Sequence, residues 1–257
     1  MDLDLGRSDA GNLDWGPAPA LSPSVSHRSM RFVERWQDGN DLMAVIGFNG
    51  HFIWQNSMCA GWMGWSQATM RCVDWWEFVH PDHQDRLVTI AEALMNNKEF
   101  TGVPVLALRA DGRYDWLMFD YIGDRGSERM FGVATPTNPD RQQTEQIAVG
   151  EWCLASGFTA DHRAARLLGL PPDAPVSAND LIERVAARDR TQLRRALQVD
   201  LTRAEAIGET VHIADHAHGL ERLVRVAGGP TRTPDSGPQR SHGLVRQADD
   251  TTSIPMM

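Results

Sequence analysis

The run His80-Pro81-Asp82-His83 contains two imidazoles, and imidazoles are common metal ligands. The same residues also suit the start of a helix. Proline is tolerated at the first helical position because its N–H would have no partner there, and an acidic side chain is stabilising near a helix N-terminus. We favour this structural role, with metal binding by His80 and His83 as the alternative.

Three further histidines lie at even-numbered positions, His212, His216 and His218. On a single strand they would face the same side, which makes a second metal site conceivable. However, two of them fall in a predicted hairpin turn, and no cysteine or carboxylate stands at an obvious fourth position. We therefore predict exposed polar residues here and no metal site in the chain.

The sequence contains no recognisable catalytic device. It lacks a glycine-rich phosphate loop, a Gly-x-Ser-x-Gly elbow and a His-Glu-x-x-His helix. Cys59, Cys72 and Cys153 are scattered and form no Cys-x-x-Cys pair, so we expect reduced thiols without a disulfide framework. We predict a non-catalytic protein with no catalytic residue. A thiol-dependent enzyme that uses Cys59 or Cys72 is a further alternative.

Tryptophan is the residue type that points to ligand binding. Six of the nine tryptophans lie between residues 54 and 116. Large rigid rings can line an apolar pocket and stack on a planar ligand, or they can fill a core, and both interpretations stay open. The candidate pocket residues are Trp54, Trp62, Trp76, Trp116, Met118 and Phe119.

Apolar periodicity predicts the elements that must position these rings. Two apolar runs joined by Asn49-Gly50, over residues 41–56, predict a β-hairpin with a two-residue type I′ turn. A short helix near 58–65 and a long helix near 82–95 follow. Three strands are then predicted near 101–109, 114–122 and 128–134.

The same order returns in the second half of the chain. A strand, a turn and a strand over residues 150–159 precede a helix that Gly169 closes. Ser177 can cap the next helix, and Leu193 and Leu197 mark a long one. Strands are predicted near 210–214, 221–227 and 241–247.

This repeated order resembles the PAS sensory domain, over about residues 38–137 and again over 147–250. His80-Pro81 is similar to the His-Pro-x-Asp loop of that family, with His83 where an acidic residue is usual. The resemblance implies an α+β fold with two PAS-type domains, each a five-stranded antiparallel sheet with short helices on one face. We predict a disordered segment over 1–26, a first domain with an N-terminal flanking helix over 27–137, a linker helix over 138–147, a second domain over 148–250 and a tail over 251–257.

The resemblance also suggests two cofactors, and neither motif fits. Flavin photosensors of the family carry Asn-Cys-Arg-Phe-Leu-Gln, whereas the thiol here lies in Met70-Arg-Cys-Val-Asp-Trp75. Haem sensors use a histidine on the long helix, and His83 comes too early. We therefore expect neither flavin nor haem, and the cofactor stays unassigned.

Composition limits the partners. Lys and Arg number 25 against 34 Asp and Glu, and this net charge of -9 disfavours nucleic acid. No apolar run approaches the length of a membrane helix, which is roughly 20 residues, and the N-terminus is acidic. We expect a cytoplasmic protein without a membrane or nucleic-acid partner.

The flanking helix predicted near residues 29–37 suggests self-association. Met30, Phe32, Val33 and Trp36 are more apolar residues than such a short helix needs against one sheet. We predict a homodimer through them, and a partner protein that carries the output. The predicted function is a tandem PAS sensor for a small ligand or a partner protein; the alternative is a constitutive interaction scaffold without a small-molecule ligand.

Overall fold

A computed structural model of the chain describes residues 15–27, 29–137, 147–155, 157–171, 175–203, 206–215, 220–230 and 241–248. Within them the fold has two units, which we name the first unit (residues 15–137) and the second unit (residues 147–248). The linker helix predicted over 138–147 lies outside the described residues except for Ile147, and the tail over 251–257 lies outside them entirely.

The first unit is a five-stranded antiparallel sheet with strand order β2-β1-β5-β4-β3. Its elements in chain order are α1 (Pro23–Ser26), α2 (Met30–Asp38), β1 (Leu42–Gly47), β2 (Phe52–Gln55), α3 (Ser57–Met63), α4 (Gln67–Cys72), a 3-10 helix (Trp75–Phe78), α5 (Pro81–Met95), β3 (Glu99–Leu108), β4 (Tyr114–Asp124) and β5 (Arg129–Pro136).

The second unit repeats this connectivity, with strand order β7-β6-β10-β9-β8. Its elements are β6 (Val149–Leu154), β7 (Phe158–Ala160), α6 (His162–Leu168), α7 (Ala178–Arg184), α8 (Arg190–Arg203), β8 (Ile207–Asp215), β9 (Leu220–Pro230) and β10 (Ser241–Gln247). The predicted α+β fold class, with two units that are each a five-stranded antiparallel sheet with helices, is confirmed. Among the described residues no helix has the length and apolarity to cross a membrane.

The hairpin of β1 and β2 is confirmed, but the predicted two-residue turn is wrong. The loop spans residues 48–51, and its hydrogen bonds run from Gly50 N to Gly47 O and from Gly47 N to His51 O. Gly50 has a φ of 85°, whereas Asn49 does not have the positive φ that a type I′ turn requires. A longer loop with one left-handed glycine therefore closes the hairpin.

The helix starts follow the local signals. Pro81 begins α5, and Nδ1 of His80 accepts a hydrogen bond from the backbone N–H of Asp82 at 3.2 Å. In the second unit Ser177 and Asp180 form a reciprocal capping box at the start of α7. The structural interpretation of the His80 run is thus confirmed.

The predicted disorder over residues 1–26 does not fit the described part of that segment. Residues 23–26 form α1, and Val25 is fully buried in the core of the first unit. Trp15 is 9% exposed, and the guanidinium of Arg71 lies 4.2 Å from the centre of its ring. A few apolar residues in a polar segment are ordered here by contacts distant in sequence.

Helix α2 packs on its own unit. Trp36 contacts Trp54 and Phe131 at ring-centre distances of 5.6 and 5.5 Å, and Phe32 is also buried. Arg35 anchors the helix, because its guanidinium pairs with Asp41 at 2.8 Å and with Asp120 on β4.

This packing changes the basis of the predicted dimer. Of the four proposed contact residues, Phe32 and Trp36 are buried within the chain, Val33 is half-buried and Met30 is 67% exposed. The homodimer stays a prediction, with Met30 as the exposed apolar side chain that could support it.

Candidate ligand cavity

The first unit contains a cavity of about 70 Å³ between its sheet and its helices. All five strands contribute to one wall. The opposite wall is formed by α3, the 3-10 helix and α5, which contributes Leu87, Ile90, Ala91 and Leu94. These α5 residues recur at helical spacing on one buried face, which explains why the helix presents an apolar surface to the cavity.

The wall is apolar apart from a few groups. Among the described residues it contains one hydroxyl, from Tyr121, and one thiol, from Cys59. Burial raises the pKa of the Cys59 thiol to about 12 and raises the pKa of Tyr121 as well, so both groups are neutral at pH 7. A cavity with this lining suits an uncharged, apolar molecule.

The volume restricts the ligand further. Pockets for drug-sized molecules measure roughly 300–1,000 Å³, whereas an apolar cavity of about 150 Å³ already accepts benzene or xenon. The cavity of the first unit therefore suits a molecule of a few non-hydrogen atoms, unless its helical wall moves outward.

Of the six predicted pocket residues, Phe119 lines the cavity. Its neighbours on β4 do not, since side chains alternate between the two faces of a strand. Leu117, Phe119 and Tyr121 face the cavity, which places Trp116 and Met118 on the other side. The ring of Trp116 lies 5.1 Å from that of His83.

The other three predicted residues also lie elsewhere. Trp54 packs on Trp36, and its Nε1 donates a hydrogen bond to the carbonyl of Gly16 at 3.0 Å. A bulge after Val45 shifts the register of β2, so Trp54 pairs opposite Val45, outside the cavity wall. Trp62 on α3 lies against Arg109, whose guanidinium carbon is 5.2 Å from the centre of the Trp62 ring.

The sequence analysis assigns Trp76 to the pocket, whereas the adjacent Trp75 is the residue that lines it. The ring of Trp76 packs against that of Trp75, with ring centres 4.0 Å apart and the ring planes tilted by 31°. Two adjacent residues of a 3-10 helix point in different directions, so the sequence pair Trp75-Trp76 leaves open which ring faces inward.

A buried ionic cluster lies on the 3-10 helix and reaches the second unit. Oε1 of Glu77 accepts from Nη2 and Nε of Arg225 on β9 at 2.6 and 3.0 Å. Arg246 on β10 places Nη2 3.6 Å from Oε2 of Glu77. The side chains of Glu77 and Arg246 are only 6% and 3% exposed. Sequence reasoning missed this cluster, because Glu77 and Arg225 are 148 residues apart.

Asp74 lies beside this cluster at the start of the 3-10 helix. Burial, and then the negative charge of Glu77, raise its pKa to about 6, although Arg225 acts in the opposite direction. The folded protein thus holds the Asp74 proton to a higher pH than the unfolded chain does. Stability consequently falls as the pH rises from about 4 to about 6, and the loss remains above that range.

We expect Asp74→Asn to stabilise the protein at about pH 7.5 more than at about pH 4.5, because the amide mimics the protonated acid. Thermal unfolding of both proteins at the two pH values measures the effect. Asp85→Asn, an exposed carboxylate on α5, is the matched control and should show no such pH-dependent gain. An equal gain from Asp74→Asn at both pH values would contradict the assignment.

The structure also shows the neighbours of His212 and Cys153, two residues considered in the sequence analysis. Nδ1 of His212 lies 2.8 Å from Oδ2 of Asp189, and this contact ties β8 to the residue before α8; His216 and His218 lie outside the described residues. Sγ of Cys153 lies 3.8 Å from Nε2 of His242, its cross-strand partner. Sequence spacing does not suggest that pair, because the two residues are 89 positions apart.

Comparison with known proteins finds similar solved structures but does not assign the chain to a family. No family model matches the chain, and no curated protein matches it. A domain described as part of a light and redox sensing histidine kinase from Haloarcula marismortui is similar at 15% identity and a TM-score of 0.35, over 41% of this chain and 93% of that one.

Two further solved structures are similar at the same level. The N-terminal domain of a diguanylate cyclase with PAS/PAC sensor from Marinobacter aquaeolei has 14% identity and a TM-score of 0.34, over 38% of this chain and 94% of that one. A sensory box histidine kinase/response regulator from Burkholderia thailandensis E264 has 16% identity and a TM-score of 0.33, over 40% and 79%. Likenesses of this size do not define a family for the chain.

Proposed function

We propose that the chain is a non-catalytic, PAS-type regulatory protein whose first unit senses a small apolar molecule. The cavity is the observation that carries the proposal. It lies between a sheet and a helical wall, it is apolar, and it is lined by groups that are neutral at pH 7. The ligand acts by differential affinity for two packings of that wall.

The remaining parts of the proposal concern assembly and output. We propose that a partner protein carries the output, that the chain works in the cytoplasm, and that it forms a homodimer. The buried Cys59 thiol disfavours a thiol-dependent reaction at that residue, since its raised pKa leaves little thiolate at pH 7.

Xenon is a suitable probe for the cavity, because a small apolar atom needs no polar partner. We expect xenon to produce saturable chemical-shift changes in the methyl groups of Ile90, Leu117 and Ala134, which line the wall. Methyl carbon–proton NMR spectra with and without dissolved xenon measure this. Native mass spectrometry of the purified protein then shows whether it retains a small molecule.

A filled cavity provides the test of location. Ala91→Leu places a larger side chain in the cavity and should abolish the xenon response. Ala93→Leu, the same change on the half-buried side of α5, is the matched control and should retain it. If Ala91→Leu does not fold, Ala107→Val fills the cavity from β3. The proposal fails if xenon leaves these methyl groups unshifted, or if Ala91→Leu responds like the unmodified protein.

A further inference from the structure

The first unit contacts the second unit through α4 and through the 3-10 helix of the cavity wall. Helix α4 packs on β9 and β10. Backbone N–H of Ser66, the N-cap of α4, donates to Oε1 of Glu151 on β6 at 2.7 Å. Ala227 and Leu244 of the second sheet belong to the same apolar cluster as Trp65 and Met70 of the first unit.

The 3-10 helix touches the cavity and the second unit at once. Its Trp75 and Phe78 line the cavity. Between them in the chain, Glu77 points away to Arg225 and Arg246 on the second sheet. The helix has only four residues, so a displacement of Trp75 or Phe78 must also move Glu77.

Burial makes this link stiff. The side chain of Arg246 is 3% exposed, and its Nε and Nη2 have no hydrogen-bond partner among the described residues. A carboxylate and two guanidinium groups in such surroundings separate only at a large electrostatic cost. A shift of Glu77 therefore draws β9 and β10 with it more readily than it breaks the contact.

We propose that the second unit reads the state of the cavity through this contact: a ligand that displaces the 3-10 helix shifts strands β9 and β10 through Glu77, Arg225 and Arg246. The inference rests on the proposed function, because it requires a ligand in the cavity. In this proposal the second unit transmits the signal, and the face of its sheet that contacts the 3-10 helix receives the displacement.

The test follows backbone amide shifts in the full chain during xenon addition. We expect shifts at the cavity wall, around Ile90 and Leu117, and also at Arg225, Val226, Val245 and Arg246 in the second sheet. In Glu77→Gln, the wall should still respond, while the β9 and β10 shifts are lost or reduced severalfold. Glu221→Gln removes a carboxylate on β9 that pairs with Arg188 at the surface, and it should leave both responses intact.

The outcomes separate the two proposals. If xenon causes no chemical-shift changes at the cavity wall, the proposed function is wrong, and the relay that depends on it is wrong as well. If xenon shifts the wall residues of the unmodified protein but not the β9 and β10 amides, only the relay proposal is wrong. The relay proposal is also wrong if the β9 and β10 shifts in Glu77→Gln are as large as in the unmodified protein. Ala91→Leu should remove both responses, which excludes direct xenon binding in the second unit. If Glu77→Gln does not fold, Arg225→Gln breaks the contact from the other side.

Discussion

Replacing Gly123 with alanine is expected to destabilise the protein by about 3 kcal/mol or more, because the added methyl group overlaps backbone atoms of α5. A Cβ at Gly123 would overlap the carbonyl oxygen of Leu94 and lie 2.5 Å from its carbonyl carbon. Backbone atoms at the end of α5 cannot turn aside as a flexible side chain can. Urea unfolding of the variant and the unmodified protein measures the loss.

Gly132→Ala is the matched control on the neighbouring strand. There the added Cβ would lie 3.4 Å from ring atoms of Tyr121, which is ordinary contact at the edge of the cavity. Neither glycine has a positive φ, so alanine adds no backbone strain at either position. The two variants differ in the space available to the added methyl group. We expect Gly132→Ala to cost less than about 1 kcal/mol. Equal losses in the two variants would contradict the close approach of α5 to β4.

This close approach shows what the sequence predicts well. The pattern Leu87, Ile90, Ala91 and Leu94 predicts α5 and its buried face, because helical periodicity is a local property. The start of α5 at Pro81 and the capping box at Ser177 are also local signals. The order of the strands and of the long helices was therefore predictable in both units, whereas α1 and α4 were not predicted.

The lining of the cavity was less predictable, because it depends on the face to which each side chain points. Trp116, Met118 and Phe119 were assigned to one pocket, although alternation along β4 places Phe119 on the face opposite to the other two. That part of the error could have been found from the sequence. The bulge that places Trp54 outside the wall could not, since it arises from pairing with β1.

Contacts between distant residues account for the rest. Val25 and Trp15 stand in a segment of polar composition, and only the folded surface of the first unit explains their burial. Likewise, Glu77 reads as an ordinary surface carboxylate between apolar residues. Its burial depends on Arg225 and Arg246, which the fold brings from the far end of the chain.

Glu77→Ala is expected to cost about 3–5 kcal/mol, because it leaves two guanidinium groups of a buried ion pair without their carboxylate. The side chains of Arg225 and Arg246 are 16% and 3% exposed, so water can replace the lost partner only in small part. Loss of the Glu77 charge also removes one cause of the raised pKa of Asp74. The stability penalty of Asp74 at neutral pH should therefore be smaller in this variant, which offsets part of the cost.

Glu221→Ala supplies the comparison, because Glu221 pairs with Arg188 in the same chemistry but at the surface. Their side chains are 41% and 55% exposed. Water solvates each charge after the partner is removed, so we expect a loss of about 0–1 kcal/mol. Urea unfolding at pH 7.5 compares the two variants, and added salt should change the Glu221 difference more than the Glu77 difference, because exposed charges are screened more strongly. If the two losses are equal, the Glu77 cluster is accessible to water and does not hold the two units together.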